Sequence, residues 1–213
     1  MKAIILLGTL KSEGLSNTET LCDFLTGYLE KEGVTVETVK LVTHNIPPGT
    51  YLDMGGQDGW PAIMKKIQAA DIMIFATPIW WSNHSSETQK AIERLDEIND
   101  QISEGKESLL ANKAGGIVVT GDSDGAQHII GSIGNFFNAL GVTLPPYCTL
   151  SVLSAAHIKG AKTTRTKLLA EYEKEYAETA QKMAKGLADF AKNAGRMAPD
   201  RERVYFHGCE NKL

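Results

Sequence analysis

The sequence is poor in the features that mark several classes of protein. Only three of its 213 residues are cysteine, and Cys22, Cys148 and Cys209 lie far apart with no metal-ligand spacing. A disulfide framework and a cysteine-bound zinc or iron-sulfur site are therefore not indicated. No apolar run is long enough to span a bilayer, and the opening apolar run leads into Gly-Thr-Leu-Lys without a small-residue cleavage site. We therefore expect a cytoplasmic protein with reduced thiols and no membrane insertion.

The sequence also lacks an excess of positive charge. The net charge is -4 and no basic cluster occurs, so nucleic acid is not an expected partner. A hydrophobic content of 42% over this length predicts one domain with a large core, which we place at residues 1–195. The polar tail at 196–213 contains an apolar tip, Val204-Tyr205-Phe206, and is a candidate oligomer contact.

Short apolar segments alternate with amphipathic helical segments along the chain. The predicted strands are residues 3–7, 34–42, 72–76, 115–120 and a last strand at 142–144 and 148–152, interrupted by two prolines. The predicted helices include a first one from about residue 16, a short one at 60–70 and a long one at 164–193. Another single helix is predicted after residue 84, with Ile92, Leu95, Ile98 and Ile102 on one face. This alternation predicts a doubly wound α/β fold, a five-stranded parallel sheet with helices on both faces. Residues 43–61 form a loop too long and too apolar for a plain connection, so we expect it to be functional or to pack on a partner.

The turn at residues 8–18 has the composition of a phosphate-binding loop. It leads from a buried strand into a helix whose first N–H groups have no partner within the helix, and such an end attracts anions. Its side chains supply hydroxyls, one amide and one positive charge: Thr9, Lys11, Ser12, Ser16, Asn17 and Thr18. An alternative is helix capping alone, because Ser16 and Glu19 have the spacing of a capping box. A cap does not require Thr9 or Lys11, which favours a ligand, but the Glu19 carboxylate would repel phosphate unless it points away.

Two further loops are predicted at the same edge of the sheet, because the carboxyl ends of parallel strands meet there. Residues 77–84 follow the third strand and contain adjacent tryptophans, Trp80 and Trp81, which suit the rim of a pocket; packing or an oligomer contact is the alternative. Residues 120–125 follow the fourth strand and offer polar groups. A mononucleotide with a flat heterocycle would satisfy all three loops.

Other nucleotide and catalytic motifs are absent. The first turn is neither Gly-x-Gly-x-x-Gly nor Gly-x-x-x-x-Gly-Lys-Ser/Thr, which argues against a dinucleotide fingerprint and a Walker A loop. There is no Gly-x-Ser-x-Gly elbow, and the segment from His84 lacks the spacing of a helical zinc pair. The run at 121–125 lacks the third acidic position and the distal Glu of a calcium loop, so no metal is expected.

Three motifs in order resemble the flavodoxin-like NADPH-dependent FMN reductase and quinone reductase superfamily. They are Gly8-Thr9-Leu10-Lys11 with Ser16-Asn17-Thr18, then Thr77-Pro78-Ile79-Trp80, then Thr120-Gly121-Asp122. The resemblance runs from residue 1 to about 146. Two departures are Lys11 and a longer spacer before Ser16. Lys11 stands where the family often has Arg, so the bidentate geometry of a guanidinium is lost but the positive charge is kept. The resemblance implies the flavodoxin-like strand order 2-1-3-4-5, FMN as cofactor, and NADPH or NADH as co-substrate.

The resemblance also assigns roles to residues. It implies that FMN phosphate binds to Thr9, Lys11, Ser16, Asn17 and Thr18, that the isoalloxazine lies along Pro78, Ile79, Trp80 and Trp81, and that the pyrimidine edge contacts Thr120, Gly121 and Asp122. The flavin carries the chemistry. Backbone amides of Ile79 and Trp80 are expected to stabilise the reduced flavin, and His84 is a weak candidate for contacting substrate, with helix capping or exposure to solvent as its alternative.

The expected function is electron transfer from NAD(P)H through FMN to a quinone, a free flavin or a similar small acceptor, in a homodimer or homotetramer. Two alternatives use the same loops. One is a flavodoxin-type electron carrier, although such carriers resemble shorter and more acidic chains. The other is a flavin-binding module without activity.

Overall fold

Five parallel strands form the centre of the structure, a computed structural model that describes residues 1–122, 124–158 and 160–194. They are β1 (Lys2–Leu7), β2 (Thr35–Lys40), β3 (Ile72–Pro78), β4 (Ala114–Gly121) and β5 (Thr149–Leu153). Their order in the sheet is β2-β1-β3-β4-β5. This confirms the predicted five-stranded parallel sheet with flavodoxin-like order.

Helices cover both faces of the sheet. They are α1 (Asn17–Lys31), α2 (Trp60–Ala69), α3 (Ser86–Glu93), α4 (Asp96–Ser103), α5 (Ala126–Ala139) and α6 (Arg165–Ala194). Buried side chains of α1 and α6 form one core cluster with the sheet, and those of α2 to α5 form the other. No helix among the described residues has the length and apolar character needed to cross a membrane.

The continuous apolar run of β1 is explained by its central place. Ala3, Ile5 and Leu7 belong to the cluster beneath α1 and α6, whereas Ile4 and Leu6 belong to the opposite cluster. Successive side chains point to opposite faces, so a strand that is covered on both sides needs apolar residues at every position. The mixed polarity of β2 agrees with its position at the edge of the sheet.

Two element predictions need correction. The fifth strand does not include residues 142–144, which make only an isolated bridge from Thr143 to Ala114; Pro145 and Pro146 follow, and proline cannot donate to a ladder. The helix predicted after β3 is divided into α3 and α4, and the break coincides with Arg94, whose buried side chain donates to the Tyr51 and Pro47 carbonyls. The predicted tail at 196–213 lies outside the described residues.

Candidate functional site

The loops that follow β1, β3 and β4 meet at the carboxyl edge of the sheet. The Thr18 and Thr120 hydroxyls lie 2.7 Å apart, which joins the start of α1 to the end of β4. The Ile79 N–H donates to the Thr120 carbonyl at 2.8 Å, which joins the β3 loop to the same strand. The sequence placed these loops together, and the structure connects them directly.

The β1 loop is organised by its own hydroxyl and ammonium groups. Ser16 Oγ donates to Thr9 Oγ1 at 2.9 Å and accepts from the Glu19 N–H at 3.2 Å. Lys11 Nζ donates to the Leu15 carbonyl at 2.6 Å, so its charge is held over the loop. Ser16 thus caps α1 and also fixes the loop, and the first-turn amides of Asn17 and Thr18 remain without acceptors inside the helix.

Gly8 allows the start of α3 to approach this loop. Ser85 Oγ donates to the Gly8 carbonyl, and a Cβ added at Gly8 would overlap the Thr88 hydroxyl. Any larger residue at position 8 would therefore push α3 and the β1 loop apart.

The Glu19 carboxylate, which would repel a phosphate at the start of α1, is paired with a lysine. It pairs with Lys40 Nζ at 2.9 Å, at the end of the neighbouring edge strand. The pair neutralises the only acidic side chain in the first turn of α1. An anion at this helix end would therefore meet helix amides and Lys11 rather than an unpaired carboxylate.

The β3 loop forms a miniature hairpin. Trp80 and Asn83 exchange two backbone hydrogen bonds, of 2.8 and 2.9 Å, around the central residues Trp81 and Ser82. Both central residues have positive φ, 49° and 63°, as a two-residue turn with type I′ twist requires. The hairpin therefore places Trp81 at its tip, where the side chain is 93% exposed.

The start of helix α5 packs against this hairpin. A Cβ added at Gly125 would lie 2.6 Å from Ser82 Cα, so only glycine permits the approach of the two backbones. His128 Nε2 lies 3.2 Å from Asn83 Oδ1. These contacts fix a turn whose non-glycine residues have left-handed backbone conformations, which are costly for a bulky residue such as Trp81.

The loops surround one cavity of about 300 Å³. Its lining consists of Thr9, Leu10, Lys11, Ser16, Asn17, Thr18, Pro78, Ile79, Trp80, Thr120, Gly121, Asp122 and His157. Eleven of the twelve predicted cofactor-binding residues therefore lie together. The exception is Trp81, which is not part of this lining, and its assignment to the cofactor stays a prediction. His84 also lies outside the lining, with Nε2 2.6 Å from Gln89 Oε1.

Two expected amide donors are already used within the protein. The Ile79 N–H donates to Thr120 and the Trp80 N–H donates to the Asn83 carbonyl. Neither can turn to a ligand without breaking the loop, so the expectation that they stabilise a reduced flavin is wrong. The β3 loop offers the cavity its side chains instead.

His157, which lines the cavity, was missed in the sequence. It lies in a short 3-10 helix, Ala155–His157, directly after β5. Its Nδ1 is 3.1 Å from the Gly121 carbonyl oxygen and its Nε2 is 2.8 Å from the Tyr172 hydroxyl. Burial lowers the pKa of His157, although the hydrogen bond to Gly121 opposes this shift. One feature of the sequence could have identified His157: it follows the fifth predicted strand, whose carboxyl end must lie at the same edge of the sheet as the other three loops.

A comparison with protein families decides the wider class. A family model described as NADPH-dependent FMN reductase matches residues 1–157. The chain belongs to this family. Membership confirms the resemblance that the three sequence motifs indicated. The matched region contains every residue that lines the cavity.

Individual members and neighbours extend this comparison. The chain is 33% identical over 156 residues to the 8-demethyl-8-aminoriboflavin-5'-phosphate synthase of Streptomyces davaonensis, a match that covers 68% of this chain and 61% of that protein. It is 32% identical over 151 residues to a protein of Mycobacterium bovis named divalent metal cation transporter MntH, a match that covers 68% of this chain but only 22% of that protein. The chain thus spans only part of both curated relatives.

A solved structure resembles nearly the whole described fold. The crystal structure of RosB with the bound intermediate 8-demethyl-8-formylriboflavin-5'-phosphate superposes with a TM-score of 0.78 and 26% identity. The match covers 92% of this chain and 81% of that one. A riboflavin phosphate derivative is therefore the ligand of a protein that shares this fold.

Proposed function

We propose that FMN binds in the cavity at the carboxyl edge of the sheet, with its phosphate at the start of α1. The observation that carries this proposal is that one cavity is lined both by the start of α1, which can bind an anion, and by the aromatic side chain of Trp80. Thr9, Ser16 and Thr18 are each at least nine-tenths buried and bring hydroxyls to it, and Lys11 adds one positive charge. A bound phosphate accepts several hydrogen bonds, and the Thr9 hydroxyl, the first-turn amides of α1 and the Lys11 ammonium are donors at this helix end.

The rest of the cavity suits the flavin ring. Pro78, Ile79 and Trp80 give a largely apolar side for a flat heterocycle, while Gly121 and Asp122 give a polar edge for its pyrimidine. When bound, FMN supplies the redox chemistry: it takes a hydride from NAD(P)H and passes the electrons to an acceptor. The protein orients the ring and limits the access of water, and none of the lining side chains is assigned as an acid or base.

We propose a small planar acceptor, such as a quinone, a free flavin, or a nitro or azo compound. The half-exposed Trp80 at the rim supports this choice, because a planar molecule can stack against an indole while it contacts the ring below. The test is to mix purified protein and FMN with NADPH or NADH and each acceptor, and to follow nicotinamide absorbance. Steady oxidation supports the reductase. Bound flavin without turnover indicates a carrier, and failure to take up FMN indicates a module without this activity.

Lys11→Glu tests the location of the phosphate. The substitution would place a negative charge beside the start of α1 and remove the ammonium that bonds to Leu15. A loss of FMN affinity of about tenfold or more is expected, since the lost attraction and the added repulsion each cost about 1 kcal/mol. Lys174→Glu, on the exposed face of α6, is the matched control. Equal affinity in both variants would place the phosphate elsewhere.

A second candidate is a reaction in which FMN is the substrate. It is favoured by the similarity to the 8-demethyl-8-aminoriboflavin-5'-phosphate synthase and to RosB with its bound flavin intermediate. Mass spectrometry of FMN after incubation with the protein separates the two candidates. A changed flavin mass supports modification, whereas unchanged flavin with continuing oxidation of NAD(P)H supports the reductase.

We also propose that the protein is a homodimer or homotetramer. Among the described residues, seven of the nine large exposed apolar side chains lie at the carboxyl end of a strand or in a loop that follows one, whereas Leu109 and Tyr147 lie elsewhere. The seven are Leu10, Tyr51, Met54, Trp80, Trp81, Leu153 and Ile158. Such a concentration is typical of a surface that is covered by a partner. Light scattering after size-exclusion chromatography tests the proposal, and a single monomeric mass would contradict it.

A further inference from the structure

His157 differs from the other residues that line the cavity, because neither of its ring nitrogens is available to a ligand. Nδ1 lies 3.1 Å from the Gly121 carbonyl oxygen, and Nε2 lies 2.8 Å from the Tyr172 hydroxyl. Tyr172 belongs to α6 and is fully buried. A polar contact from His157 to FMN would therefore break one of these two hydrogen bonds.

The chemistry of its partners fixes the tautomer of His157. A carbonyl oxygen only accepts, so Nδ1 carries the proton and donates to Gly121. Burial favours the neutral ring, in which Nε2 then accepts from the Tyr172 O–H. The result is a directed chain of hydrogen bonds from Tyr172 through His157 to Gly121.

The end of this chain is a peptide group at the edge of the cavity. The Gly121 carbonyl also accepts from the Ser154 N–H at 3.0 Å, so two donors hold it on one side. A Cβ added at Gly121 would lie 2.7 Å from Ile79 Cδ1, so the Gly121 Cα packs closely against the β3 loop. Because the peptide is planar and trans, the Asp122 N–H points opposite to the Gly121 carbonyl.

We propose that His157 is a positioning residue for FMN: through Gly121 it orients the Asp122 N–H as a donor to the pyrimidine edge of the flavin. This inference rests on the proposed function. It assigns to Asp122 the donor role that the amides of Ile79 and Trp80 cannot fill, since both are bonded within the protein. Reduction places negative charge on the pyrimidine part of the flavin, and a fixed amide donor stabilises that charge.

The proposal predicts different results for two substitutions of His157. His157→Leu removes both hydrogen bonds and leaves the Gly121 carbonyl with the Ser154 N–H as one donor instead of two. His157→Asn keeps an N–H donor close to the position of Nδ1 and loses only the bond to Tyr172. His44→Leu, at the end of the 3-10 helix Leu41–Thr43 and outside the cavity lining, is the matched control.

Three measurements are made on the full chain: the dissociation constant of FMN by equilibrium dialysis, the midpoint potential of bound FMN, and the melting temperature without FMN. His157→Leu should weaken FMN about fivefold, the equivalent of one net hydrogen bond, and shift the potential to more negative values. His157→Asn should restore both quantities to within about twofold of the wild type. His44→Leu should leave them unchanged.

Two results would overturn the proposal without touching the proposed function. One is a His157→Leu variant that binds FMN with wild-type affinity and potential. The other is an equal loss in His157→Leu and His157→Asn that follows their melting temperatures, which would make His157 a structural residue only. If the wild-type protein itself bound no FMN, the proposed function would fail first, and the proposal with it.

Discussion

Arg94 and Asp58 form an ion pair whose side chains are 0% and 1% exposed. The guanidinium also donates to the backbone carbonyls of Tyr51 and Pro47. The Asp58 carboxylate accepts from the N–H groups of Met54 and Trp60. The long loop after β2 thus folds onto the end of α3 of its own chain.

Arg94→Met should destabilise the protein strongly, because it leaves the buried Asp58 charge without its partner. We expect the free energy of unfolding to fall by about 3–5 kcal/mol, measured by urea denaturation. The control is Lys66→Met, which breaks the pair with Glu37 on the surface, where the side chains are 42% and 55% exposed; this change should cost less than about 1 kcal/mol. Equal losses in the two variants would show that desolvation cancels the attraction in the buried pair.

The same pair predicts a dependence of stability on acid. Burial acts to raise the pKa of Asp58, but hydrogen bonds from Arg94 and from the Met54 and Trp60 amides outweigh it and lower the pKa from 3.8 to about 2. The unfolded chain therefore binds this proton more readily than the folded one. The stabilisation is complete above pH 3.8 and is lost as the pH falls towards 2. Unfolding free energies measured at successive pH values should fall more steeply in the wild type than in Asp58→Asn, and parallel curves would refute the assignment.

The hydroxyl pair of Thr18 and Thr120 should behave as a unit. Thr18→Val alone leaves the buried Thr120 hydroxyl unpaired and should cost about 1–3 kcal/mol. The double variant, Thr18→Val with Thr120→Val, should recover most of this loss, since neither position then has an unsatisfied hydroxyl. Thermal unfolding of the two single variants and the double variant gives the coupling energy. Strictly additive losses would mean that the two hydroxyls do not depend on each other.

Gly125→Ala should disturb the hairpin on which Trp80 lies. Gly125 has a φ of +128°, and its added Cβ would meet the Ser82 backbone. A loss of about 1–3 kcal/mol is expected from the backbone strain, together with weaker FMN binding. Gly131→Ala on the same helix meets no atom within 4 Å and should stabilise the protein by up to about 1 kcal/mol. Unchanged melting temperature and FMN affinity in Gly125→Ala would indicate that the hairpin can move at little cost.

Substitution of the two adjacent tryptophans should affect FMN affinity to different extents. Trp80 is 49% exposed and lines the cavity, whereas Trp81 is 93% exposed and does not. Trp80→Ala should weaken FMN by about tenfold, the value of one aromatic contact, and shift the flavin absorption bands. Trp81→Ala should change both less, because its side chain lies outside the lining. An equal loss in Trp81→Ala would support the assignment of Trp81 to the cofactor, with the hairpin folded over the ring in the complex.

Local patterns were sufficient for much of the fold and of the cavity. The unbroken apolar run of β1 identified a strand covered on both faces, and the alternation of strands and helices gave the parallel sheet. Once that sheet is accepted, the ends of β1, β3 and β4 must share an edge. The sequence alone therefore predicted that the polar residues Thr9, Asn17 and Thr120 lie at one edge of the sheet.

Other features depend on contacts that no local pattern encodes. His157 reaches the cavity only because β5 pairs with β4, which brings Ser154 and His157 to the Gly121 carbonyl. Arg94 and Asp58 are 36 positions apart, and either would ordinarily be placed on the surface. Trp81 was grouped with Trp80 because they are neighbours in the sequence; the hairpin places Trp80 in the cavity lining and leaves Trp81 exposed at its tip.

The hairpin also gives the protein a built-in optical probe. Of its three tryptophans, Trp60 is buried in the core, Trp80 is half-buried and Trp81 is exposed to solvent. A dissolved quencher such as iodide would reach the indole at position 81 first and that at position 60 last, which divides the ultraviolet emission into an accessible and a protected part. A decrease in the quenching of the accessible emission would then report that a molecule has bound over Trp81 at the tip of the hairpin.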